Sequence, residues 1–157
     1  HRQGYRTTGE RDSMTDRILA AATLGFAENP LGITLEAQPQ EARPEGTFLV
    51  PVMVEIPIGN LALLPQKDRH TARISVRSVV RDDHGRLSDV HDRAYPFEIA
   101  NNQLVSAITQ EARFVLGMVL REGPQRIAIS VQDTNSMLES TAFVDVVVGA
   151  DHSGQTG

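Results

Sequence analysis

The chain has 157 residues with 15 basic and 20 acidic side chains, a formal charge of −5, no cysteine and no tryptophan. That length suits one domain, able to bury roughly two-thirds of the surface its unfolded chain exposes, and the absence of cysteine excludes disulfides and thiolate metal sites without fixing a compartment. Lys67 is the only lysine and the arginines are dispersed, so no basic run marks a nucleic-acid surface; no stretch approaches the roughly 20 apolar residues of a membrane span.

Residues 1–12 are polar, with glycines at 4 and 9, and read as a linker from an upstream domain. No leader peptide is visible, and a start at His1 reads as a fragment or mature form of a longer protein. Over 13–25 the period becomes helical, with Met14, Ile18, Ala21, Ala22 and Leu24 on one side. Ser13 with Asp16 supplies an N-cap signal, Gly25 a stop, and Asn29-Pro30 lies beyond it.

From residue 31 to 148 the pattern is that of short strands. Ile33–Gln38 reads as an edge strand closed by Pro39 and Pro44. Thr47–Ile56 is apolar for most of its length, and Pro51 within it predicts an edge position or a bulge, since proline cannot donate to a ladder. Ile58-Gly59-Asn60-Leu61 looks like a turn and Ala62–Leu64 like a brief pairing. Thr71–Arg81 alternates cleanly, with Ala72, Ile74, Val76, Ser78 and Val80 on one face. Asp82-Asp83-His84-Gly85 supplies turn chemistry, and a partner strand is expected from Arg86 to about Asp92, with Tyr95–Ile99 continuing it or switching sheets at Pro96. Asn101–Gln110 carries weak helical spacing through Leu104, Val105 and Ile108. Arg113–Arg121 and Gln125–Gln132 each show an apolar stripe, and the short Glu122-Gly123-Pro124 connection predicts that they are antiparallel neighbours. After a turn at Asp133–Ser136, Ser140–Val148 is the last strand, and 149–157 reads as a frayed tail. The fold class is therefore all-β, an immunoglobulin/fibronectin III-like antiparallel β-sandwich with a short N-terminal helix.

Arg2-Gln3-Gly4-Tyr5-Arg6 resembles the Arg-x-Gly-Tyr-Arg/Tyr segment that closes the von Willebrand factor A-like domain of bacterial VWFA-related proteins. Tyr95–Ile99, Gly123–Asp133 and Ser140-Thr141 are similar to the β-rich C-terminal region of the same family. The resemblance implies an exported, periplasmic or extracellular protein, an upstream A-like domain in the same chain and a role in protein interaction. It brings no catalytic residues, and the Asp-x-Ser-x-Ser metal motif of A-type domains is absent.

The candidate sites are few. Asp82, Asp83, His84, Asp89, His91 and Asp92 are the one cluster of metal-ligating types, weighed against a solvated hairpin rich in turn-forming aspartates. Asp133-Thr134-Asn135 lacks the glycine and distal glutamate of a calcium loop, and neither Ser136 nor Ser140 sits in a nucleophile elbow. Arg73, Arg77 and Arg81 form a row of cations, read as the wet face of a sheet or as an interaction surface for a protein partner. Carbohydrate binding would need an exposed aromatic platform, whereas most of the phenylalanines lie on apolar stripes and read as core. The reading is a non-catalytic interaction or scaffold domain without a cofactor, the alternative being a β-sandwich that binds a carbohydrate or a metal.

Overall fold

The computed structural model describes residues 15–149. The expected linker at 1–12, the Ser13 cap, Met14 and most of the expected tail lie outside them. In chain order the elements are helix α1 (15–24), β1 (Thr34–Ala37), β2 (Glu41–Arg43), β3 (Thr47–Pro57), β4 (Leu64–Pro65), β5 (Arg69–Asp82), β6 (His91–Ala100), α2 (Leu104–Ala107), β7 (Glu111–Arg121), β8 (Gly123–Asp133) and β9 (Glu139–Val148). They form an all-β sandwich of two antiparallel sheets with one short N-terminal helix.

In the first sheet β3 is the spine. β7 runs antiparallel along all of it, from Thr47↔Arg121 to Pro57↔Glu111, while β1 and then β2 share its other side. In the second sheet β6 occupies one side of β5 from Arg69↔Ala100 to Ser78↔His91. The other side holds the two-residue β4 and then β8, with β9 beyond β8. Period-2 alternation turns every second side chain inward, so Val50, Val52, Val54 and Ile56 of β3 meet Ile74, Val76, Ile127, Ile129 and Val131 in one buried core. A second, smaller cluster lies on the outer face of the second sheet, where α1 sets Ile18, Ala21 and Ala22 on Val79, Ala128 and Phe143. The helix stops at Gly25, whose N–H still bonds the Ala21 carbonyl at 3.2 Å while its φ of +75° turns the following chain out of the helix.

Three expectations are corrected. Arg113–Arg121 and Gln125–Gln132 are not neighbours, because β7 pairs with β3 and β8 with β5 and β9. Gly123, at φ +121°, turns the chain out of one sheet and into the other, and both apolar stripes point inward because they line the same core from opposite sides. Pro51 lies in an interior strand rather than at an edge. Its carbonyl accepts the Gln38 N–H at 2.8 Å, so its missing donor faces the break between β1 and β2. Across that break residues 38–40 oppose residues 50–51, one extra residue on the side of the partner strands, so the bulge is opposite the proline. The partner of β5 begins at His91, not Arg86; residues 86–90 make only the bridge Arg81↔Leu87 before β6 runs straight through Pro96 at the sheet edge.

Candidate interaction site

The two sheets differ in width: three strands abreast in the first, four in the second. β1 lies beside β9 at one side of the sandwich, so the mismatch falls on the other, where, among the described residues, β6 has no strand opposite it. Burial records the consequence. Val50, Val52, Val54 and Ile56 of β3 are fully buried, whereas Phe114, Leu116, Met118 and Leu120 of β7 point at the same core and stay only partly buried. Tyr95 of β6 stacks on Phe114 with ring centroids 4.7 Å apart and closes one end of this side. Toward the other end the sheets part, leaving a groove of about 440 Å³ between Val76, Ser78 and Val80 of β5 and Leu116, Met118 and Leu120 of β7. It continues past Val80 and Leu120 to Leu87 and Arg121.

The backbone along this groove has a defined polarity. Pro51 turns its carbonyl toward β1 and is paired across the sheet with Gly117, so Gly117 turns its own N–H and carbonyl away from β3. With period 2, Arg113, Val115, Val119 and Arg121 do the same. The β3–β7 register has no bulge, and Phe114–Leu120 contains neither a charge nor a proline. Val115 and Val119 are each 56% exposed on the outer face. Other edges are blunted: β1 has four residues, β6 carries Pro96, and β9 gives its Thr141 N–H to Glu28 and its Val147 carbonyl to the Gln40 side chain. Among the described residues β7 is thus the long edge least protected, only its terminal Arg121 carbonyl being taken, by the Gln125 side-chain amide.

The chain matches no protein-family model and no curated protein. Solved structures similar to it include the X-ray structure of Northeast Structural Genomics Consortium target SoR45, which aligns over 80% of this chain and 87% of its own at 13% identity and a TM-score of 0.44.

The ligand-type residues of the 82–92 segment do not converge. Asp82 accepts the backbone N–H groups of Arg86 (2.8 Å) and His84 (2.9 Å) and the Arg86 Nε (3.1 Å). Those bonds, the Arg86 backbone first, hold its carboxyl below the usual aspartate value. Asp83 lies 3.6 Å from His84 at the exposed tip, Asp92 pairs with Arg77 at 3.5 Å and accepts the Ser75 hydroxyl, and Asp89 and His91 are exposed. Among the described residues no three His, Asp or Glu side chains gather as a metal group would require.

The arginine row shares a face but not an environment. Arg73 is exposed, Arg81 is half-buried beside the turn, and Arg77 is buried at 7% exposure and reaches Asp92. The neighbouring turn at Asp133 is structural: its carboxylate takes the Ala62 N–H at 2.6 Å and the Asn135 N–H at 3.0 Å. Ser140 is buried and accepts the Leu31 N–H, and Ser136 caps Leu138. Phe48, Phe97 and Phe114 pack on the main core, and Phe143 lies under α1 with the Arg126 guanidinium 4.3 Å over its ring. The Arg126–Asp145 hydrogen bond raises the arginine's pKa further. Phe26 departs from the core expectation and is 71% exposed.

The open edge itself was not among the sequence-based candidates. Its signal is present in the sequence, as seven successive residues, 114–120, with no charge between Arg113 and Arg121.

Proposed function

We propose that this is a non-catalytic protein-interaction or scaffold domain of the immunoglobulin/fibronectin III kind, from an exported bacterial protein related to the VWFA family. The observation that carries the interaction reading is the open side along β7, where apolar core side chains and unpaired backbone groups face the same groove. Support for the finer fold assignment is the strand order, β1-β3-β7 in one sheet and β6-β5-β8-β9 in the other, with chain crossings between sheets at residues 58–63, α2 and Gly123. The VWFA relation and a periplasmic or extracellular setting rest on the Arg2–Arg6 segment and the downstream blocks named above. The partner is a protein, either a separate chain or the upstream A-like domain.

A photo-activatable residue placed at Val115, with the protein expressed in its native cells, tests this. It is expected to trap a defined protein, and the same residue at Val147, exposed on the second sheet, is expected not to. Equal adducts from both positions, or no protein adduct from Val115, would sink the reading.

A further inference from the structure

We infer that the open side receives an extended, acid-flanked strand of alternating apolar residues, which adds to β7 between Arg113 and Arg121. The inference rests on the interaction reading above and specifies the partner's chemistry. Five residues of β7 turn N–H and carbonyl groups to the free edge, and all of these except the Arg121 carbonyl, which accepts the Gln125 side-chain amide, are open to an added strand. Every second side chain of such a strand would enter the groove and cover Leu116, Met118 and Leu120 together with the β5 residues Val76 and Val80.

The slot is one strand wide, because the first sheet is one strand narrower than the second. A second copy does not fit it. Antiparallel β7–β7 pairing about a two-fold axis puts both second sheets on the same side, where the partner copy's overhanging β6 would fall on the space held by β5 and β6. Neither terminal segment, 1–14 or 150–157, carries a run of alternating apolar residues to fill the groove. Charge selects the flanks. Arg121 ends the strand and Arg93 lines the groove, and neither makes an ion pair among the described residues, whereas Arg113 is bound to Glu55 and Arg86 to Asp82. An acidic residue beside Arg121 and Arg93 therefore meets uncompensated positive charge.

The test uses the peptide Asp-Asp-Val-Thr-Val-Thr-Val-Asp-Asp and a twin with lysine in place of aspartate. At low salt the acidic peptide is expected to bind about tenfold tighter than its twin, and to slow amide exchange at Val115, Gly117 and Val119. Val119→Pro removes one edge donor without touching a β3–β7 hydrogen bond and is expected to abolish both effects. Should that variant melt below the assay temperature, the peptide N-methylated on alternate amides makes the same test on the unaltered protein, with the same loss expected.

Unchanged exchange at β7, equal binding of the two peptides, or full binding of the methylated one overturns the inference. So does a concentration-dependent dimer that protects those amides without peptide. If the Val115 adduct to a protein persists in Val119→Pro, strand addition falls and the interaction reading stands. If no adduct forms at all, both fall.

Discussion

Arg17→Ala is expected to destabilise the domain by more than its surface position implies. The Arg17 side chain is 59% exposed, but its guanidinium donates at 2.7 Å to Glu139, whose side chain is 3% exposed and also accepts the Ser130 hydroxyl at 2.7 Å. Removing the cation leaves an ionised carboxylate buried with one hydrogen bond. Breaking a fully buried pair costs about 3–5 kcal/mol, and breaking an exposed one about 0–1 kcal/mol. With one partner buried and the other wet, the expected loss is about 2 kcal/mol, a fall in Tm of about 4–8 °C for a domain of this size. The check is equilibrium urea unfolding of the parent, Arg17→Ala, Glu139→Gln and the double variant. Glu139→Gln removes the stranded charge while keeping an acceptor for Ser130, so the double variant should be more stable than Arg17→Ala alone. An Arg17→Ala loss below about 0.5 kcal/mol, the size of an ordinary surface change, would mean that the carboxylate is hydrated without its cation and would refute the reasoning.

Gly25→Ala should cost about 1–2 kcal/mol because φ is +75°, the new Cβ itself reaching only ordinary contact with Arg126 Nη1 at 3.4 Å; denaturant unfolding measures it. Ile56→Ala should cost about 2–5 kcal/mol in the closed core, and Leu116→Ala clearly less, because its cavity would open into the groove; the two urea midpoints decide. The Asp82 carboxyl, followed by carbon NMR, should titrate below the ordinary value of about 3.9. Because its folded-state pKa is lowered, its contribution to stability is present above the unfolded value and is lost as pH falls through the folded one, so Asp82→Asn should flatten the acid limb of the stability curve. Calcium or zinc at a hundredfold excess over a micromolar Kd should leave Tm unchanged, where a true site would raise it by about 5–11 °C. A rise abolished by His84→Ala and His91→Ala would reinstate the 82–92 metal site.

The strands that carry the core were legible wherever alternation was uninterrupted: Thr71–Arg81 lies within β5 and Ser140–Val148 within β9. The Gly25 stop and the helical turn after Asn101 were legible from local chemistry alone. Which sheet each strand joins was not. Alternation identifies an inward face, but in a sandwich both sheets turn that face to one core, so β7 and β8 look like a hairpin although Gly123 separates them. The burial of Arg77 was hidden for a related reason: Val79 on the same face becomes core only when α1 lays Ile18, Ala21 and Ala22 over it, a contact between distant segments. The open edge was missed because an uncharged run between two arginines reads as a buried strand. Only the count of strands in each sheet reveals that no strand among the described residues covers its far side.

The β3–β7 pairing also sets a schedule for synthesis. β3 ends at Pro57 and its full-length partner is complete only at Arg121, a gap of 121 − 57 = 64 residues. At translation rates of about 5–20 residues per second, roughly 3–13 s pass before that partner exists. During this interval Val50, Val52, Val54 and Ile56 have only the four-residue β1 and three-residue β2 beside them. The nascent chain therefore emerges with its most apolar strand half-paired, and a chaperone that holds extended apolar segments is expected to bind it there.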